Sequence, residues 1–221
     1  MTMAGRAAIV LAVVALAAGA AHANPSLVPP DVGRPLHAAS VELLPVGCSG
    51  VVAEDAQLVL TARHCASDVG VRLRVRFRSG VERPATVVAT DTVSDQSVLL
   101  LDDPGPVAPL EVATRVPIPG SVLYFEGNPA RPRPQELRLD RIGACPSLPD
   151  LPNALFTSLK GTPGDSGAPV VDRAGRIVGL VHGGARCEIV TPADHLSRLL
   201  DRVFERGPMH VARQVRVGPQ V

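Results

Sequence analysis

The apolar residues of this chain come in short runs, and turn-forming residues break every run. Runs of about four to seven residues fit β-strands and are too short for most helices. In the first half they lie at 41–46, 50–52, 58–61, 71–77, 85–90 and 97–101. A second series follows at 121–125, 135–141, 155–159, 168–171 and 176–181. Between the two series, residues 102–119 carry five prolines, too many for an internal strand, so this stretch reads as a connection. Asp172-Arg173-Ala174-Gly175 reads as a tight hairpin turn. One stretch after the second series reads as a helix. Leu196, Leu199, Leu200, Val203 and Phe204 share one face of a helix over 193–206, and Gly207-Pro208 stops it. Twenty glycines and 22 prolines in 221 residues also argue against a helical bundle. The expected fold is all-β: two six-stranded antiparallel barrels, about 37–103 and about 120–190, joined by a linker at about 104–119 and closed by the C-terminal helix.

With 46% hydrophobic and 19% charged residues, the chain can bury a core and is not disordered along most of its length. Aromatics make up only 2%, so Val, Leu, Ala and Ile must do the packing. Twenty-two basic residues against 21 acidic ones leave +1, and no charge excess points to nucleic acid. At the start, Arg6 precedes an uncharged stretch over 7–21 and the small-x-small triplet Ala21-His22-Ala23. This pattern predicts a secretory signal peptide at 1–23, with an apolar stretch shorter than the roughly 20 residues that span a bilayer. No later segment could cross a membrane, so no stable membrane insertion is expected after cleavage, and the protein is expected to be secreted or periplasmic. Residues 24–36 are Pro-rich and read as a mobile lead-in, and the tail 207–221 carries no strong signal. Cys48, Cys65, Cys145 and Cys187 allow three pairings, an oxidising compartment favours bridges, and none has the CxxC spacing of a zinc site.

Three stretches carry chemistry, in the order His, Asp, Ser. Thr61-Ala62-Arg63-His64-Cys65 ends an apolar strand, Asp95 heads the strand at 97–101, and Gly164-Asp165-Ser166-Gly167 forms a Gly-bounded loop. A serine hydroxyl is a weak nucleophile and needs a base within hydrogen-bond reach. A histidine takes and returns that proton near neutral pH. A carboxylate on its other nitrogen fixes the tautomer, and glycines beside the serine let backbone N–H groups turn inward. Each motif has a plainer reading: the loop as a tight turn, His64 as a structural histidine, Asp91 as a turn cap. Asp91 and Asp102 compete with Asp95, which is preferred because a strand follows it directly.

Together these motifs closely resemble the trypsin/chymotrypsin-like serine peptidases, in particular the bacterial trypsin-like and HtrA-type branch. The resemblance covers about residues 38–206. It implies a two-barrel peptidase domain with Ser166 as nucleophile, His64 as general base and Asp95 as its orienter. It further implies an oxyanion hole from the Gly164 and Ser166 N–H groups, and Val181-His182-Gly183 as the edge that pairs with a polypeptide substrate. It pairs Cys48 with Cys65 as the histidine-loop bridge, and Cys145 with Cys187 thereby. No metal or organic cofactor is implied, and the oligomeric state is left open. The expected activity is exported serine endopeptidase. The alternative is a catalytically silent homologue that binds polypeptide or an anionic surface.

The chain also departs from the family. No activation cleavage pattern precedes Cys48, so activity on folding and export is expected, with Asp165 meeting an arginine for which Arg138 and Arg141 are the candidates. Lys160, six residues before Ser166, stands at the base of the primary pocket by this resemblance. Lys160, with His182 near the pocket edge, would favour an acidic side chain. Arg63 stands where the family has a small residue, facing outward or narrowing the cleft. Arg72, Arg74, Arg76 and Arg78 alternate along one strand face, which reads as a solvated face or as an anion-binding stripe.

Overall fold

A computed structural model describes residues 28–128, 130–184 and 187–206. The signal peptide expected at 1–23, the first residues of the lead-in and the tail 207–221 lie outside the described residues. Among the described residues, no helix is long and apolar enough to cross a membrane.

Two closed antiparallel barrels make up the molecule. The first contains β1 (Ser40–Leu44), β2 (Cys48–Val52), β3 (Leu58–Ala62), β4 (Arg72–Phe77), β5 (Glu82–Asp91) and β6 (Gln96–Leu101), in the order β1-β2-β3-β6-β5-β4. The second contains β7 (Val122–Gly127), β8 (Arg133–Gly143), β9 (Ala154–Thr157), β10 (Pro169–Val171), β11 (Ile177–Gly184) and β12 (Cys187–Pro192), in the order β10-β11-β12-β9-β8-β7. Each closes through its own core. Val41, Leu43, Val59, Val75, Val87 and Leu99 fill the first. Leu123, Phe125, Leu137, Leu139, Leu155, Val170 and Val190 fill the second. Period two decides which residues face inward: along β8, Leu137 and Leu139 are buried while Glu136, Arg138 and Asp140 are exposed. The connection between the barrels is not loose, because Leu110 bridges to Ala53 of the first barrel and Val112 to Ile177 of the second.

A third apolar cluster fills the seam between the barrels and is covered by two helices. The C-terminal one, α2 (Ala193–Arg206), lays Leu196, Leu199, Leu200 and Val203 on it, whereas Phe204, expected on the same face, is exposed at its edge. The other overturns an expectation. Residues 30–36 are not a mobile lead-in, because Pro30–Ala39 forms a helix, α1, with Val32, Leu36 and Ala39 buried in the same cluster. Pro30 stands at the start of this helix, where a missing N–H costs nothing and the fixed φ helps. Pro35 lies inside it, and burial of the 32–36–39 face outweighs the lost hydrogen bond. His37 Nδ1 and Arg78 Nη2 both meet the buried carboxylate of Glu126 at 2.7 Å, which ties α1 and the end of β4 to β7.

The arginine stripe on β4 is not a free cationic surface. Arg72 pairs with Asp102 at 2.6 Å, Arg74 with Glu82 at 2.9 Å, Arg76 with Glu82 at 3.0 Å and Glu42 at 3.2 Å, and Arg78 with Glu126. Every arginine of the stripe therefore has a carboxylate partner, which removes the basis for the anion-binding reading.

If α1 seals the seam, Leu36→Ala should cost about 2–4 kcal/mol in urea unfolding. A loss below about 0.5 kcal/mol, the level of a typical surface substitution, would show that α1 is dispensable.

Candidate active site

The histidine, aspartate and serine expected from sequence lie where the two barrels face each other. Arg63–Cys65 forms a single 3₁₀ turn at the end of β3, and this turn carries His64. The Cys48–Cys65 disulfide fastens it to the start of β2. Asp95 sits in the turn before β6 with φ 53°, a left-handed conformation that Asp tolerates better than most residues. Hydrogen bonds over-determine this position. The Arg63 N–H donates to the Asp95 carbonyl at 2.8 Å, and the His64 N–H to Asp95 Oδ1 at 2.9 Å. His64 Nδ1–H donates to Asp95 Oδ2 at 2.6 Å.

A residue expected only at the substrate-pairing edge approaches the same oxygen. His182, buried on β11, donates from its Nδ1 to Asp95 Oδ2 at 2.7 Å. The two imidazoles meet edge to face, with centroids 5.5 Å apart and planes at 86°. Burial pushes the Asp95 carboxyl pKa up, but the hydrogen bonds and charges of His182 and His64 outweigh it and hold the value at about 2. Asp95 is thus an acceptor-only carboxylate at neutral pH, and both Nδ1 atoms must carry protons. The rival aspartates are spoken for. Asp91 accepts from the Val93 N–H, Ser94 and His195, and Asp102 pairs with Arg72.

Ser166 lies in the loop between β9 and β10. Gly164, at φ 97°, and Gly167, at φ 81°, give the loop its turns. A Cβ at Gly167 would collide with the Ser49 carbonyl, the Thr61 hydroxyl and the Ala62 N–H, so the loop packs against the first barrel only as glycine. Ser49 clamps it from that side, its N–H donating to the Ser166 carbonyl at 2.9 Å and its hydroxyl to the Gly164 carbonyl at 2.6 Å. The Gly164 and Ser166 N–H groups donate to no other described residue and are free to receive an oxyanion. Ser166 Oγ lies 3.3 Å from the point where a Gly183 side chain would begin, against the β11 edge. Among the described residues it forms no hydrogen bond with His64.

The loop is held from below by an ion pair. Buried Asp165 accepts from the Thr162 N–H at 2.7 Å and from Arg133 Nη2 at 2.8 Å. The arginine is therefore Arg133, not Arg138 or Arg141. Arg138 is on the exposed face of β8, whereas Arg133 shares the inward face with Leu137 and Leu139. Arg141 stacks on Phe156 beyond a register shift in the strand.

A cleft of about 260 Å³ opens beside Ser166, lined by Leu159, Gly161–Pro163, Val181, His182, Gly183 and Glu188. Lys160 is exposed and does not line it; in the loop after β9 its neighbour Leu159 is buried and takes the inward position. The accessible charge in the cleft is instead negative. Glu188 pairs across β11–β12 with Gly183 and accepts from the Gly161 N–H at 3.3 Å. His182 is engaged with Asp95, so both grounds for an acidic preference fall. Arg63 is half-buried and does not line the cleft. The Cys145–Cys187 disulfide joins the end of β8 to the start of β12 and packs with Leu151, Ala154 and Ile189 below this wall. A larger hollow of about 940 Å³, near Arg115, Ile118 and Arg176, holds none of these residues.

Two outcomes follow. Arg133→Ala leaves Asp165 charged and buried, so the loop should lose on the order of 2 kcal/mol, read as a lower Tm; an unchanged Tm would contradict the ion pair's role. A carboxyl with a folded pKa near 2, below the unfolded value of about 3.9, stabilises the fold above the unfolded value. That contribution fades as pH falls through the folded value. Acid unfolding of the wild type should therefore steepen between about pH 4 and pH 2, by about 2–3 kcal/mol in total, and Asp95→Asn should flatten this segment. Equal slopes in the two proteins would contradict the geometry at Asp95.

Comparison with known proteins agrees with this architecture. The family model described as the trypsin-like peptidase domain matches residues 48–180, a span that contains His64, Asp95 and Ser166. Among solved structures, an inactive form of Rv3671c from M. tuberculosis H37Rv superposes with a TM-score of 0.66 at 21% identity, over 83% of this chain and 96% of that one. The HtrA-type protease AlgW, solved with a tripeptide, gives 0.68 at 20% identity, over 80% of this chain. The chain spans 64% of the length of that AlgW chain. No curated protein matches the chain. The family match covers more than half of the sequence, and the chain belongs to the trypsin-like peptidase domain family.

Proposed function

We propose that this protein is an exported serine endopeptidase that hydrolyses peptide bonds through Ser166, His64 and Asp95. The observation that carries the reading is the 2.6 Å bond between His64 Nδ1 and an ionised Asp95, set across from a Gly-bounded serine loop with two uncommitted N–H groups. Such a pair leaves His64 Nε2 unprotonated in the neutral imidazole, ready to accept the serine proton.

In the proposed reaction, Ser166 Oγ attacks the scissile carbonyl carbon while His64 Nε2 takes its proton. The oxyanion is held by the Gly164 and Ser166 N–H groups. The C–N bond then breaks, the amine leaves with the proton from His64, and the acyl group stays on Ser166. Water, deprotonated by His64, repeats the attack and frees the acid and the serine. The substrate backbone would add to the β11 edge at Val181–Gly183. AlgW, of the same fold, was solved with a tripeptide and with a decapeptide, which supports polypeptide as the substrate class.

Glu188 gives the cleft beside Ser166 an accessible negative charge, so a basic side chain should be preferred there over an acidic one. A peptide library should show Arg or Lys enriched at the cleaved position in the wild type and not in Glu188→Gln. Enrichment of Asp or Glu would contradict this assignment. The catalytic reading itself is tested with a fluorophosphonate probe, which reacts only with an activated serine. The wild type should label, Ser166→Ala should not, and His64→Ala should label at least about 10²-fold more slowly. Absence of labelling in correctly bridged wild type would favour a silent polypeptide-binding homologue.

A further inference from the structure

The hollow of about 940 Å³ on the second barrel holds none of the residues used above. Its walls are the connection at 113–118, the start of β7 and the turn between β10 and β11. One of these walls is an unfinished sheet edge. Along an antiparallel strand, the backbone N–H and C=O of successive residues point to alternate sides. The Leu139 N–H donates to the Ser121 carbonyl at 2.9 Å, so Ser121 and Leu123 bond towards β8 and Val122 points the other way. On that side β10 pairs with Phe125 and Tyr124 and stops at Val171, where the chain turns back through Asp172–Gly175. Among the described residues, no group bonds to the Val122 backbone, which borders the hollow.

The side chains around this edge carry two further signals. Val116 and Ile118 are 36% and 74% exposed, so large aliphatic groups face water here. The charge is positive, with Arg115, Arg173 and Arg176 set against Asp172 alone. Asp172 is fully engaged. Its Oδ2 accepts from Arg176 Nε at 3.0 Å and Nη2 at 2.8 Å, and its Oδ1 from the Ala174 and Arg176 N–H groups. Arg173 reaches only the Tyr124 hydroxyl, at 3.4 Å. Among the described residues, Arg115 and Arg173 have no carboxylate partner, in contrast to the arginines of β4.

We propose that this hollow docks an extended acidic segment of a partner polypeptide, with alternating carboxylate and aliphatic side chains. The segment adds to the free β7 edge and bonds to Val122 through its backbone. Its carboxylates meet Arg115 and Arg173, and its aliphatic side chains cover Val116 and Ile118. An anionic lipid could also meet the arginines and the aliphatic groups, but it brings no backbone donor and acceptor for the strand edge. The site is separate from Ser166, and the inference does not rest on the serine peptidase reading.

The test uses the full chain carrying Ser166→Ala, so that no probe is cut. The probe is a fluorescein-labelled peptide of alternating Glu and Val, followed by fluorescence anisotropy. It should bind, and more weakly as salt rises. Arg115→Glu combined with Arg173→Glu should raise the Kd at least about tenfold. The Tm should not change, because both side chains are exposed. N-methylation at alternate peptide positions removes the N–H groups of one peptide edge at a time. One of the two methylated sets should weaken binding about tenfold, and the other less than about threefold. Phosphatidylglycerol vesicles should not displace the probe. The proposal is overturned if protein on the order of 1 mM leaves the anisotropy unchanged. Binding that persists in the double variant overturns it too, because the probe then sits elsewhere. Equal binding of an alternating Glu and Ser peptide would reduce the site to charge attraction, and displacement by the vesicles would assign it to a lipid surface.

Discussion

One carboxylate oxygen, Asp95 Oδ2, receives hydrogen bonds from both barrels. His64 reaches it from the end of β3 in the first barrel, and His182 reaches it from β11 in the second. The cost of burying a charge is offset only while these donors are present. Asp95 therefore links the two barrels as well as fixing the tautomer of His64. Its left-handed backbone persists because the Arg63 and His64 N–H groups bind it from the first barrel.

Further contacts hold the same seam. Gln96, next to Asp95, donates to the Thr191 hydroxyl at 2.9 Å and to the Pro192 carbonyl at 3.1 Å. Ser49 clamps the Ser166 loop from the first barrel, while Arg133 and Asp165 support it from within the second. The apolar cluster under α1 and α2 excludes water along the rest of the seam. The candidate catalytic groups thus depend on no single loop: Asp95 receives His182 from the second barrel and the Ser166 loop receives Ser49 from the first.

Much of this was legible in the sequence, for physical reasons that differ by element. Strands such as β3 and β6 are buried on both faces and appear as unbroken apolar runs. Cys187–Pro192, the sixth strand of the second barrel, was not picked out, because Glu188 and Thr191 interrupt its apolar run. α1 was hidden by its three neighbouring prolines, although Val32, Leu36 and Ala39 already had helical spacing. Parity with Leu137 and Leu139 excludes Arg138 but not Arg141, which only the register shift after Leu139 turns away from Asp165. The sequence marks His182 only as part of a substrate-pairing edge, not as a partner of Asp95, and no local pattern marks Glu188. Their importance comes from β11–β12 pairing and barrel closure, which bring His182 to an oxygen of Asp95, 87 positions away in the chain.

The measurement closest to the centre of this account is the fluorophosphonate labelling rate of Asp95→Asn at neutral pH, with disulfides intact and the fold checked by circular dichroism. An amide in place of the carboxylate keeps the shape but removes the charge and permits the wrong His64 tautomer. The account predicts a rate lower by about 10³–10⁴-fold in a folded protein. Labelling at the wild-type rate would contradict it, because His64 would then owe neither its orientation nor its basicity to Asp95.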